Sequence, residues 1–173
     1  MKTLKKILRN KAVAIMMLAL PVASYAQSHG DHVMVSLGGA YPKTLEASVA
    51  YERETKYHNA WEYFATYSIQ YDNDQEAGHV TPDSFWKNYN TWGVGIAYKP
   101  CVKRGRNHHG SLRIGASAGS DLHKAIGAAH IGYEHTYNLY GRWSVFFSLK
   151  EDITIRAKDR FKTGAAIGLK IPL

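Results

Sequence analysis

From residue 33 to the C-terminus, apolar and polar positions alternate with a period of two, in segments separated by turn-like residues. That is the spacing at which successive side chains of a β-strand point to opposite faces. The first segment sets Val33, Val35, Leu37 and Tyr41 against Met34, Ser36, Gly38 and Ala40, and Tyr41-Pro42-Lys43 turns it. The second sets Leu45, Ala47, Val49 and Tyr51 against Glu46, Ser48, Ala50 and Glu52. In the third, Trp61, Tyr63, Ala65, Tyr67, Ile69 and Tyr71 oppose Glu62, Thr66, Ser68, Gln70 and Asp72, with Phe64 as the one apolar residue on the polar side.

A polar loop over 73–87 precedes a fourth strand, in which Trp92, Val94, Ile96 and Tyr98 oppose Gly93, Gly95 and Ala97. A basic connection over 99–110 leads to a fifth strand, with Leu112, Ile114, Ala116 and Ala118 opposite Arg113, Gly115, Ser117 and Gly119. The turn 120–124 leads to a sixth strand, in which Ala129, Ile131, Tyr133, His135 and Tyr137 oppose His130, Gly132, Glu134 and Thr136. Residues 143–156 and 161–173 supply two more. No segment has the 3.6-residue period of an amphipathic helix, so the pattern predicts an all-β meander of about eight antiparallel strands. Closed on itself, such a meander is an up-and-down barrel.

The first stretch is of another kind. Lys2, Lys5, Lys6, Arg9 and Lys11 precede an apolar run over 12–22 that ends in Ser24-Tyr25-Ala26, the layout of a cleaved signal peptide over 1–26 followed by a barrel domain over 27–173. The run is shorter than the ~20 residues of a transmembrane helix. Removing those five cations lowers the formal charge from +8 to +3, so the basic balance of the whole chain argues little for nucleic acid. Cys101 is the single cysteine, so no intramolecular disulfide is available, and no cysteine follows Ala26 as a lipid attachment point.

Alternation alone does not say which face looks inward. The polar faces are rich in Gly, Ala and Ser with isolated charges, a composition suited to the crowded lumen of an eight-strand barrel rather than to a water-exposed wall. Large aromatics, Tyr41, Tyr51, Trp61, Tyr71, Tyr98, Tyr137 and Trp143, stand on the apolar face near strand ends, as in the interfacial girdles of membrane barrels. The expectation is an outer-membrane barrel in contact with lipid, its termini periplasmic. A soluble lipocalin-like ligand-binding barrel, with the same rings filling its core, is the competing arrangement.

The outward-apolar assignment places Glu46, Glu52, Glu62, Glu134 and Asp152 in the lumen with Arg113, Lys150, Arg156, Lys162 and Lys170. Ions in so narrow a space must pair, because desolvating one alone costs several kcal/mol. A closed network of salt bridges is therefore expected in place of an open pore. Glu151 breaks the pattern by sharing the apolar face of its strand.

Candidate chemistry is sparse. Ser120, Asp121 and His123 invite a hydrolase reading, but one turn seldom aligns a nucleophile, its base and an orienting group, and Ser and Asp are ordinary turn residues. Gln27-Ser28-His29 would offer a Cu(II) or Ni(II) chelate only with a free amine, and His108-His109 read as part of a solvated connection. No enzyme activity and no cofactor or metal are expected. Lys99, Cys101, Lys103, Arg104 and Arg106 form the densest basic cluster of the barrel domain, a candidate docking turn for a periplasmic partner. Aromatics are not interleaved with it as single-strand nucleic-acid binding requires, so no direct nucleic-acid contact is expected.

The segment Trp143-Ser-Val-Phe-Phe-Ser-Leu-Lys-Glu-Asp-Ile-Thr-Ile-Arg156, the following 161–173 with its Gly-Leu-Lys-Ile ending, and Leu112-Arg-Ile-Gly-Ala-Ser-Ala-Gly119 resemble the TraO proteins of conjugative transposons. The resemblance covers about the C-terminal third closely and the remainder in layout. It implies a non-enzymatic envelope component of a conjugative, type IV secretion-like DNA-transfer apparatus, contacting outer-membrane lipid and other proteins of that apparatus. The alternative is a free-standing outer-membrane barrel that binds or modifies lipid.

Overall fold

The computed structural model describes residues 30–71, 78–81, 85, 89–121, 123–139, 142–155, 157 and 159–173. The leader 1–26, Gln27-Ser28-His29, most of the 73–87 loop and Arg156 lie outside these residues. The strands are β1 (Asp31–Tyr41), β2 (Thr44–Glu54), β3 (Ala60–Gln70), β4 (Tyr89–Lys99), β5 (Cys101–Arg104), β6 (His108–Ser120), β7 (Ala125–Asn138), β8 (Ser144–Ile155) and β9 (Phe161–Pro172). Each pairs antiparallel with its chain neighbour, apart from β4 and β5, which both pair with β6. β1 closes the sheet on β9, from His32 opposite Pro172 to Tyr41 opposite Thr163.

Nine segments make an eight-strand barrel because β4 and β5 are one wall strand interrupted at Pro100. Proline has no N–H to give a ladder. Pairing with β3 ends at Ala60 opposite Lys99, and beyond the interruption β5 pairs with β6 alone. The expected basic connection over 99–110 is therefore mostly strand, and only 105–107 turn. His108 and His109 likewise open β6 instead of lying in a solvated turn.

Closure pairs β1–β4 and β6–β9 on both sides, which is what hydrocarbon demands of a spanning sheet, and leaves a one-sided edge only at the short β5 at the chain-end rim. The wall's outer face is apolar. Leu37, Val49, Val94, Ile114, Ile131, Leu149 and Ile167 are all exposed, and so are Trp61 and Phe147. So continuous an apolar belt is not a water-facing surface. The competing soluble arrangement would put Trp61 and Phe147 inside and leave Glu62 and Lys150 in water, and the observed orientation is the reverse.

The barrel has two unlike ends. At one end β1 begins and β9 finishes, and β2 leads to β3, β5 to β6 and β7 to β8; at the other β1 leads to β2, β3 to β4, β6 to β7 and β8 to β9. Of the expected girdle, Tyr51, Trp61, Tyr98, Tyr137 and Trp143 cluster toward the first end, where the Trp61 and Tyr98 rings lie 4.9 Å apart. Tyr41 and Tyr71 stand toward the second. Trp92 and Phe161, both exposed near strand ends there, extend that belt.

Candidate functional site in the barrel lumen

Inward side chains fill the lumen in three zones. Nearest the chain ends is an ionic layer. The Lys99 ammonium is bound by Glu52, by Glu62 Oε2 at 3.1 Å and by Glu134 Oε1 at 2.6 Å. Lys170 Nζ lies 2.7 Å from Glu52 Oε1 and 2.8 Å from Glu134 Oε1, and Arg113 Nη2 lies 2.7 Å from Glu62 Oε1. Three carboxylates thus meet three cations in a layer whose Lys99 is only 1% exposed. Removing any member would strand an opposite charge where water cannot reach it.

Glu52, Glu62 and Glu134 bring carboxylate oxygens within 4.8 Å of one another, close enough to chelate a cation. The cation among them is Lys99's own. This corrects the place expected for Lys99, which was grouped with the docking turn. It is the last residue of β4, one step past Tyr98, and strand alternation turns it inward. The other members stay at the surface of the chain-end hairpin: Lys103, Arg104 and Arg106 are exposed and Cys101 is partly covered. Arg104 stacks over Tyr57 at 5.2 Å, and Asn59 Oδ1 accepts a hydrogen bond from the Cys101 backbone N–H at 2.9 Å.

The middle zone is apolar. Met34, Ala50, Phe64, Ala97 and Phe146 form one buried cluster. Phe64, the residue out of pattern in its strand, belongs here, and Arg113 spans the two zones by stacking 4.4 Å above its ring. Together the two zones seal the chain-end half of the lumen.

The third zone, toward the loop end, is polar and less filled. Lys150 Nζ lies 2.5 Å from Glu46 Oε1 and 3.0 Å from Asp152 Oδ2. Asp152 Oδ1 is 2.6 Å from His130 Nδ1, and His130 Nε2 is 2.7 Å from Ser117 Oγ. These last three residues come from β8, β7 and β6 and lie side by side across the wall, His130 directly opposite Asp152 in the ladder. A cavity of about 100 Å³ opens beside them, lined also by Thr66, Gly93, Lys150 and Lys162.

The predicted lumen residues Glu46, Glu52, Glu62, Arg113, Glu134, Lys150 and Asp152 all line this interior, divided between its two ionic zones. Glu151 does face outward, where Thr163 Oγ1 donates a hydrogen bond to it. The turn residues Ser120, Asp121 and His123 do not converge. Asp121 accepts from the backbone N–H groups of His123 at 3.0 Å and Lys124 at 2.6 Å, and from the Tyr89 hydroxyl at 2.9 Å. The Lys124 amide in particular holds its carboxyl below the usual aspartate range. His109 stacks on His58 at 4.8 Å, and the His108 ring packs tilted against His135 at 5.1 Å.

No protein-family model matches the chain, and no curated protein matches its sequence. Solved structures do match its shape. A barrel from the de novo design of transmembrane β-barrels superposes with a TM-score of 0.51 at 12% identity, over 84% of this chain and 98% of that one. A major outer membrane protein from Thermus thermophilus superposes with a TM-score of 0.53 at 10% identity, over 82% of this chain and 98% of that one. At such identities the likeness is one of fold. Taken with the apolar outer belt, it identifies this chain as an eight-strand barrel of the outer-membrane type.

Proposed function

We propose that this barrel is an outer-membrane component of a conjugative DNA-transfer apparatus, exported by its leader and inserted with both barrel ends of the chain toward the periplasm. The observation that carries the reading is the likeness of residues 112–119, 143–156 and 161–173 to TraO proteins. These segments fall on β6, β8 and β9, three of the eight wall strands, and β7 stands between β6 and β8. The role is one of assembly and asks no chemistry of the barrel. A lumen filled by ion pairs and aromatic rings suits a wall component better than a conduit for DNA.

Contacts with partners then fall to the chain-end hairpin, where Lys103, Arg104 and Arg106 present exposed cations. An in-frame deletion tests the reading: transfer frequency is expected to collapse, with envelope integrity unchanged. Wild-type transfer without the protein would favour a free-standing outer-membrane barrel. Charge reversal at Lys103, Arg104 and Arg106 is expected to lower transfer while the amount of barrel in the outer membrane stays the same.

A further inference from the structure

Ser117, His130 and Asp152 form a connected hydrogen-bonded chain inside the barrel: hydroxyl to imidazole at 2.7 Å and imidazole to carboxylate at 2.6 Å, through opposite ring nitrogens. This is the arrangement in which a serine hydroxyl loses its proton to a base whose ring a carboxylate orients, and such a set is recognised by geometry, whatever the fold. His130 is further fixed by an edge contact with the Phe64 ring at 5.4 Å.

Two further features suit the cavity to a substrate. The first is space beside the nucleophile. A carbon built on Gly93 would point into the lumen and stand 3.5 Å from the Ala118 carbonyl oxygen, 3.6 Å from Thr66 Oγ1 and 3.9 Å from Ser117 Oγ, in ordinary contact with all three. The missing side chain thus leaves open a position between the serine and a second hydroxyl that can donate to a developing oxyanion. The second is an unused charge. Lys162 is 9% exposed and lines the cavity, yet no carboxylate among the described residues lies within salt-bridge distance of it. Asp152 stands opposite it in the ladder without reaching it, so the ammonium keeps hydrogen-bonding capacity for an anionic visitor.

We propose that the loop-end half of the lumen is a hydrolytic site for small esters whose acyl portion carries a negative charge. Ser117 is the nucleophile, His130 the general base and acid, Asp152 a positioning residue and Lys162 the anchor for the anion. The Ser117 oxygen attacks the ester carbonyl carbon while its proton passes to His130 Nε2. The carbon–alkoxide bond then breaks, and the leaving alcohol takes that proton. Water, deprotonated by His130, cleaves the acyl-serine, releasing the carboxylic acid and restoring the hydroxyl. This goes beyond the assembly role and is independent of it.

The test uses the full barrel refolded in detergent, with the boiling-dependent gel shift as the check on folding. Mono-4-nitrophenyl succinate and neutral 4-nitrophenyl acetate are the substrates, and a fluorophosphonate is the covalent probe. Ser117 is expected to be the modified residue by peptide mass spectrometry. Ser117→Ala should abolish labelling and turnover, and His130→Gln should lower turnover by about 100-fold or more. Asp152→Asn should lower kcat with little change in KM, whereas Lys162→Met should raise KM for the succinate ester and leave the acetate unaffected. Gly93→Ala, whose methyl would rest against Ser117 Oγ and Thr66 Oγ1 without a clash, should slow both esters by filling the open position. A folded wild-type barrel that takes no label, or turnover that survives Ser117→Ala, overturns the proposal.

Discussion

Phe64 on β3 stands directly opposite Gly95 on β4, and its ring Cζ occupies the place where a side chain at Gly95 would begin, 2.5 Å from the position of a Cβ there. Phe146 and Gly168 repeat the relationship between β8 and β9, again at 2.5 Å. Each ring folds over the bare backbone of its neighbour, and this is how two phenylalanines fit into a lumen only eight strands around.

Gly95→Ala and Gly168→Ala should therefore destabilise the barrel, although alanine is ordinarily no worse than glycine in a strand. Overpacking of this kind costs roughly 1–3 kcal/mol. Urea unfolding in lipid vesicles should show the loss, and Phe64→Leu should recover the part due to the ring in the Gly95→Ala background, while the Ala116 carbonyl oxygen, closer still to the same position, accounts for the rest. Additive losses in the double variant would refute the packing account.

Lys99→Met should be far more damaging, because it leaves Glu52, Glu62 and Glu134 facing one another with Lys170 and Arg113 alone to balance them. Breaking a buried ion pair from one side costs about 3–5 kcal/mol. The same unfolding assay reads the effect, and Glu62→Gln in the Lys99→Met background should regain part of the stability. Lys150→Ala, which uncovers Glu46 and Asp152, is expected to lower the melting temperature less, since that zone is not fully sealed.

The outer belt makes a prediction of opposite sense to that for a soluble protein. Ile114 is 53% exposed. Ile114→Arg would be tolerated on a water-facing wall but should cost roughly 2–4 kcal/mol near the middle of a lipid-facing one. Refolding yield into vesicles and the urea midpoint both report it.

Cys101 offers a direct reading of orientation. It lies on β5 at the chain-end side, partly covered, its thiol donating to the Lys103 carbonyl at 3.3 Å. A membrane-impermeant maleimide should label it only after the outer membrane is opened. Labelling of intact cells would invert the proposed topology.

The 121–124 turn carries a pH dependence of known sign. The bonds from the backbone to Asp121 favour its ionised form, so the folded group titrates below its ordinary value. Their support for the turn is complete above the usual aspartate pKa of about 3.9 and is lost as pH falls through the lower folded value. Amide exchange at His123 and Lys124 should accelerate in that acidic window and be insensitive to pH-driven loosening near neutrality.

Much of this was legible in the chain. The two-residue period separated Trp61 and Phe147 from Glu62 and Lys150 without any knowledge of pairing, because pleated backbone sends alternate side chains to opposite faces. The same rule, run one residue past Tyr98, places Lys99 inside, but the density of basic residues after it suggested a connection. Ser117, His130 and Asp152 all stood on inward positions, yet 13 and 22 residues separate them, and nothing local marked them as neighbours. Ser120, Asp121 and His123, the serine, aspartate and histidine that sequence proximity singled out, lay in a turn and do not converge.

Side and partner are decided at different levels. Which way a residue points follows from its own strand, so the sequence alone determined the leader-like first stretch, the strands, their faces and the aromatic rims. Which inward residues meet depends on the stagger of every strand against the next and on the closure of β1 against β9, and that is a property of the whole ring. Only the tertiary structure could bring Lys99 to Glu134, lay Phe64 over Gly95 and align Ser117, His130 and Asp152 in one hydrogen-bonded row.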